Sequence, residues 1–278
     1  MKVCVFQHQH ARSRKLADVF EIAAKRMGWE IERTTEAHIV PRADMLLAYG
    51  WVNASMFDAY RRAGLNYIYA DLGYWARKRD RNDYGGLHKL VVNGRHATEY
   101  FQRRPRPGDR LQLAPPLQSW RPPGSGRNII VAGLSAKGAV GHGMRPLSWE
   151  TEVIAKLRQL TKRPIVYRPK PSWKDARPIH GTIFSPGDRP IESELADAHA
   201  LVTLSSNAAI DALAYGVPVH AVEGLASVMS TPLDEIEQPA RPEGRKQFFC
   251  DVSYCHWTRD EVATGAVFAR FRDEGLLA

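Results

Sequence analysis

Hydrophobic and polar positions along the chain alternate between short apolar runs and stretches of helical period. Lys2–Gln7 (KVCVFQ) is a β-branched and aromatic run, and residues 12–27 (RSRKLADVFEIAAKRM) carry apolar side chains at helical spacing until Gly28 stops them. Trp29–Arg33 and Asp44–Tyr49 read as strands, the second a buried one. Asn53 reads as the N-cap of a helix through about Arg62, ended by Gly64. Asn66–Leu72 and His88–Asn93 are the next strands. This β-α-β-α-β rhythm predicts a parallel sheet covered by helices.

Residues 103–127 are rich in Pro, Gly and Arg, the composition of an interdomain linker. The rhythm then restarts. Asn128–Ala132 is a strand, and Gly133-Leu134-Ser135-Ala136-Lys137-Gly138 a Gly-rich loop. A helix covers about 148–161, with Ser148 and Glu150 near its start. Pro164–Arg168 is a strand, Ile191–Ala196 a short helix, and Ala200–Leu204 a strand. Asn207–Tyr215 is a helix closed by Gly216, Pro218–Val222 a strand, and about 258–274 one more amphipathic helix. The expected organisation is one α/β domain over 1–120 and a second over 128–257. The C-terminal helix within 258–278 is expected to pack back on the first.

Composition narrows the class. The 278 residues, 44% hydrophobic and 25% charged, exclude wholesale disorder. At about 150 residues per domain, the length allows one large domain or two small ones. No run of 18 apolar residues exists to span a membrane, and the apolar stretch at the N-terminus is too short for a signal peptide. Cys4, Cys250 and Cys255 form neither a disulfide framework nor a CxxC zinc motif. A soluble protein of a reducing, cytoplasmic compartment is expected.

Charge adds an asymmetry. The net charge is +9, yet residues 1–127 hold 22 Lys+Arg against 12 Asp+Glu, leaving the rest near neutrality. The densest part contains Arg77, Lys78, Arg79, Arg81, Arg103 and Arg104, interleaved with Tyr74, Trp75, Tyr84, Tyr100 and Phe101. Basic side chains take phosphates and aromatic ones stack on bases, so this half is a candidate nucleic-acid surface. The plain alternative is a solvated basic face that aids solubility.

The segment 200–222 (ALVTLSSNAAIDALAYGVPVHAV) carries the most chemistry. A buried strand ends in Ser205-Ser206-Asn207, a helix follows, and Asp211 lies one turn deeper. The unpaired N–H groups at a helix start accept an anion, and a carboxylate at Asp211 can bind ribose hydroxyls. In the loop after the preceding strand, Gly133 and Ser135 let backbone approach phosphate, and Lys137 adds charge. Arg168 and Lys170 follow a strand, where open α/β sheets bind ligands, and are candidates to neutralise a diphosphate leaving group. For Lys170 a plain surface role stands beside that reading.

Segment 200–222 resembles the nucleotide-binding half of the GT-B glycosyltransferases, in which a strand, a small polar turn, a helix with an acidic residue and then G-x-P form the donor site. The resemblance covers mainly 128–225; the acidic residue there is usually Glu, whereas this chain has the shorter Asp211. It implies an α/β fold of two Rossmann-like parallel-sheet domains facing a cleft, with a nucleotide-sugar donor, a UDP-sugar first. Structural core packing is the competing reading of the same segment.

Glycosyl transfer also needs a base for the acceptor hydroxyl, unless a retaining mechanism avoids it. Asp71, in ADLGYW, is the preferred base, with His8 and His10 as further candidates; Asp71 also reads as a turn residue before Gly73. No third ligand accompanies the two histidines, so no metal is expected. The basic first half is similar in architecture and charge to bacteriophage enzymes that glycosylate hydroxymethylpyrimidines, which makes duplex DNA the favoured acceptor. Alternatives are a glycan or lipid-linked acceptor, a non-catalytic nucleic-acid-binding α/β protein, and a nucleotide-sugar epimerase.

Overall fold

Strands form where the apolar runs lie. In a computed structural model, which describes residues 1–51, 53–75, 86–98 and 100–277, the chain begins with β1 (Lys2–Phe6), α1 (Ala11–Arg26), β2 (Glu30–Thr34), β3 (Met45–Tyr49), α2 (Ala54–Arg62), β4 (Asn66–Leu72) and β5 (His88–Val92). Strands β2, β1, β3 and β4 lie side by side in parallel, with Cys4 opposite both Glu32 and Leu46. Helix α1 turns Leu16, Ala17, Phe20, Ala23 and Ala24 onto Val3, Val5, Met45 and Leu47 of the sheet. Each large side chain buried there contributes about 2 kcal/mol.

Strand β5 departs from the expected parallel sheet. It runs antiparallel to β4, with Asp71 opposite Lys89 and Leu72 opposite His88. A parallel return needs a long crossover, usually a helix, and the sequence pattern places no helix between Leu72 and His88.

The restarted rhythm builds a second sheet from β6 (Asn128–Ala132), β7 (Ile165–Arg168), β8 (Ile183–Phe184), β9 (Ala198–Thr203) and β10 (Val219–Ala221). Its order is β10-β9-β6-β7-β8 and every pairing is parallel. Helices α3 (Ala136–Gly141), α4 (Ser148–Leu160), α5 (Ile191–Leu195) and α6 (Ala208–Ala214) connect the strands. Ile129, Val131, Ala200 and Val202 of the sheet pack on Val153, Ile154 and Leu157 of α4.

The chain ends with α7 (Arg245–Ser253), β11 (His256–Trp257), α8 (Arg259–Ala263) and α9 (Ala266–Asp273). Strand β11 joins the first sheet beside β5, giving β11-β5-β4-β3-β1-β2. Phe268 of α9 meets Phe20 and Trp29, with ring centroids 6.4 and 5.1 Å apart. The single helix expected over 258–274 is two, divided at Gly265, whose φ is 81°.

Two units result: Met1–Ala114 with Cys250–Ala278, and Pro115–Phe249. Residues 250–257, grouped with the second domain in the sequence reading, pack with the first. The Pro-rich connection is stapled within each unit. Arg106 N–H donates to Asp251 at 2.8 Å in the first unit, and Gln118 and Arg121 N–H groups donate to Ala214 and Gly216 carbonyls in the second. Gly216 serves that approach as well as ending α6: its φ is 69° and a Cβ there would lie 2.0 Å from the Ser119 carbonyl oxygen. Among the described residues no helix is long and apolar enough to cross a membrane.

Candidate functional site

In the second unit the informative loops leave the carboxyl ends of the strands, where parallel α/β sheets bind ligands. The turn after β6 is held at three points. Gly133 N–H donates to the Arg168 carbonyl at 2.9 Å, and Leu134 N–H to Glu150 Oε1 at 2.7 Å. Ser135 Oγ caps α3 by accepting Gly138 N–H at 3.0 Å. Lys137 is exposed.

The turn after β9 lies alongside. Thr203 Oγ1 donates to the Ala132 carbonyl at 2.7 Å and accepts Ser206 N–H at 3.2 Å. Ser206 Oγ accepts Ala208 N–H at 3.2 Å, so Ser206, rather than Asn207, tethers the start of α6. Leu134 and Leu204 share one small apolar cluster that joins the two turns. Beyond β10, Glu223 N–H donates to the Leu204 carbonyl at 2.7 Å and its carboxylate stands 3.6 Å from His142, just past α3. Gly133, Ser135, Lys137, Ser205, Ser206 and Asn207 are thus gathered at one end of the sheet, with half-buried Asp211 on the first turn of α6.

Arg168 is placed differently from its expected role. Its side chain is 6% exposed and pairs with Glu194; the guanidinium also reaches Ser185 Oγ and the Arg189 carbonyl. A guanidinium committed to an internal carboxylate braces the 185–194 segment instead of facing solvent. Lys170, two residues on, is exposed and carries the available charge.

In the first unit Asp71 ends β4 in a cluster of phenols and cations. Its Oδ2 accepts the Tyr69 hydroxyl at 2.5 Å and its Oδ1 the Leu72 N–H at 2.8 Å. Burial pushes the Tyr49 phenol up to about 12, the Asp71 charge adds to this, and Arg12 opposes it. Burial, then the Arg259 charge, bring His88 down to about 4 against smaller upward pulls from Asp71 and the Gly86 backbone, with Arg12 adding a little to the lowering, so its buried ring is neutral near pH 7. His8 donates its main-chain N–H to Ser13 Oγ at 2.8 Å, and its ring centroid lies 4.6 Å from that of His10. Among the described residues no group of three or more His, Cys, Asp or Glu is arranged to hold a metal.

The aromatic part of the nucleic-acid expectation changes. Tyr74, Trp75, Tyr100 and Phe101 are all buried, so they build core and offer no stacking face. Arg77, Lys78, Arg79, Arg81 and Tyr84 lie outside the described residues. Arg103 and Arg104 are exposed, but Arg106 pairs with Glu274 at 2.6 Å and Arg110 with Glu261.

Residues not singled out from sequence are Arg12, Tyr49, Tyr69 and His88 in the first unit, and Tyr167 and Glu194 in the second. From sequence Glu150 stands only as a residue near a helix start. The Tyr69-x-Asp71 spacing on one face of a strand is the one local signal that pointed to any of these.

No protein-family profile matches the chain, and no curated protein sequence does. Its fold is nevertheless shared. The β-Kdo 2,4-transferase of Thermosulfurimonas dismutans KpsC superposes with a TM-score of 0.52 at 11% identity, covering 91% of this chain and 90% of that one. The β-Kdo 2,7-transferase of the same protein gives 0.52 at 10% identity, covering 97% and 100%. The chain therefore has a GT-B-like fold: two Rossmann-like α/β units, the second sheet wholly parallel and the first parallel over β2, β1, β3 and β4.

Proposed function

We propose that the protein is a glycosyltransferase that moves a sugar from a nucleotide-sugar donor to a hydroxyl acceptor. The observation that carries this reading is the gathering of the 133–138 and 205–207 turns, linked through Thr203 and Leu204, at the carboxyl end of the second sheet. In this reading the loop from Gly133 to Lys137, together with Lys170, takes the diphosphate of a UDP-sugar, and Asp211 takes the ribose. Asp71 of the first unit removes the acceptor proton, with His8 as the second candidate base. The acceptor oxygen bonds to C1 of the sugar, the bond from C1 to the phosphate oxygen breaks, and the nucleoside diphosphate leaves with that electron pair.

For the acceptor, a glycan hydroxyl is the first choice. The four buried aromatics remove base stacking from the case for DNA, and the two solved structures described above are named as Kdo transferases. Hydroxymethylpyrimidine in duplex DNA is the second, favoured by the charge excess of residues 1–127. Incubation with a nucleotide-sugar panel, with oligosaccharide or with hydroxymethylated duplex, followed by mass spectrometry of both acceptors, tests both choices. A sugar-sized gain on one acceptor identifies it. Absence of both transfer and donor hydrolysis overturns the transferase reading.

A further inference from the structure

Glu150 is wholly buried in the first turn of α4, and besides its own main-chain N–H it serves the loop after β6. One carboxyl oxygen accepts Leu134 N–H at 2.7 Å; the other is buried with no hydrogen-bond partner among the described residues. The carboxyl lies directly under the turn: a Cβ on Gly133 would stand 2.9 Å from Oε1 and 2.8 Å from the Tyr167 ring. That contact explains the glycine and leaves no space between turn and carboxyl. The Tyr167 hydroxyl is likewise buried without a partner.

Among the described residues, every group that faces this carboxyl is uncharged near neutral pH. From the loop it meets Leu134 N–H, from α4 its own main-chain N–H, and from β7 the Tyr167 phenol, itself raised by burial and by Glu150. Burial accordingly lifts the Glu150 carboxyl above the usual range, and only the two N–H groups pull it back. An anion arriving on the outer side of the turn adds like charge to a group that has no cation to offset it, which favours the protonated form further.

We propose that Glu150 is a proton-linked positioning residue of the donor loop: its carboxyl fixes the Gly133–Leu134 turn, and a nucleoside diphosphate binding above that turn draws one proton from solvent onto the unpartnered oxygen. This rests on the donor reading above. A glutamine would hold Leu134 equally well, so the link to protons is what separates this role from a structural one.

The test is calorimetric titration of UDP into the wild type and Glu150→Gln, in buffers of different ionisation enthalpy, from about pH 5 to about pH 9. The nucleotide's own phosphate titrates identically in both, so the difference between the proteins reports Glu150. The wild type is expected to take up as much as about one proton more per UDP than the variant. Its affinity relative to the variant should weaken by as much as about tenfold per pH unit as pH rises. Equal uptake in the two proteins overturns the inference while leaving the donor reading intact. Failure of UDP and of a panel of other nucleotides to bind the wild type overturns the donor reading, and this inference with it. Should Glu150→Gln not fold, 13C-carboxyl labelling of wild-type glutamates reads the same event. One titration midpoint should rise on adding UDP, and a spectrum in which none moves overturns the inference.

Discussion

Tyr69 donates its hydroxyl to Asp71 Oδ2 at 2.5 Å from two positions earlier on the same strand, so phenol and carboxylate share one face of β4. The bond fixes the carboxylate plane while Leu72 N–H occupies the other oxygen. The Tyr49 hydroxyl is a further hydrogen-bonding neighbour of the carboxylate, which leaves one lone pair for an acceptor hydroxyl. In Asp71→Asn the amide oxygen can still accept Leu72 N–H while the NH2 donates to the Tyr69 hydroxyl, so the contacts stay feasible with one reversed, but the base is lost; kcat is expected to fall roughly a hundredfold to ten-thousandfold with little change in donor KM. Tyr69→Phe leaves the carboxylate in place but frees its plane to turn, so kcat should fall by much less than in Asp71→Asn. Steady-state rates across pH measure both, and an Asp71→Asn enzyme with wild-type kcat removes Asp71 as base.

Lys170 and Asp211 are assigned to opposite ends of the donor, phosphate and ribose. Lys170→Ala should weaken UDP binding in a salt-dependent way, whereas the loss in Asp211→Ala should be nearly independent of salt. Titrations at two ionic strengths check this. Equal UDP affinity in Asp211→Ala takes the ribose contact away from it.

Much of this architecture was legible because local patterns determine it. The run NIIVA becomes a strand buried on both faces, and KLADVFEIAAKR presents Leu16, Phe20 and Ala23 at helical spacing to one core. What escaped depends on partners far away in the chain. Glu150 reads as a helix-start residue until Leu134, 16 residues earlier, is seen donating its N–H to the carboxyl. Arg168 reads as a phosphate ligand until Glu194, 26 residues later, takes its guanidinium. Tyr74 and Trp75 sit in a basic stretch but face inward onto His256, 182 residues beyond Tyr74. The orientation of β5 is likewise a matter of pairing, which an apolar run such as HKLVV does not encode.

The Arg168–Glu194 pair is nearly closed to water, at 6% and 13% side-chain exposure. Removing one partner leaves the other buried and uncompensated, at a cost of about 3–5 kcal/mol. Glu194→Ala should therefore lose that much in urea unfolding, and the double variant Arg168→Met, Glu194→Leu should recover most of it. A Glu194→Ala protein as stable as wild type contradicts the brace assigned to Arg168.

Gly216 and Gly28 share a φ of 69°, but only Gly216 is crowded: its Cβ would meet the Ser119 carbonyl oxygen at 2.0 Å, whereas nothing lies within 4 Å at Gly28. Both alanine variants carry the left-handed backbone cost of about 1 kcal/mol. Gly216→Ala must in addition displace the 118–121 segment, so its loss of stability should exceed that of Gly28→Ala by at least about 1 kcal/mol. Parallel denaturant curves measure the difference, and equal losses show that the segment yields freely.

His88 gives the fold a pH dependence of defined sign. Burial, reinforced by Arg259 and Arg12, holds its folded value at about 4, well below the unfolded value of 6.5. The unfolded chain therefore binds a proton first as pH falls. Stability from this group is complete above about pH 6.5 and is lost progressively toward about pH 4, by roughly 3 kcal/mol in total. Glu150 acts in the opposite sense: its raised carboxyl favours the folded state most at low pH and less as pH rises through its folded value. The two separate by substitution. Unfolding free energies of wild type minus His88→Leu should decline from neutral pH toward pH 4, while those of wild type minus Glu150→Gln should decline in the alkaline direction. A His88→Leu difference that stays level across that acidic window shows that the ring is solvated in the folded protein and overturns the burial assigned to it.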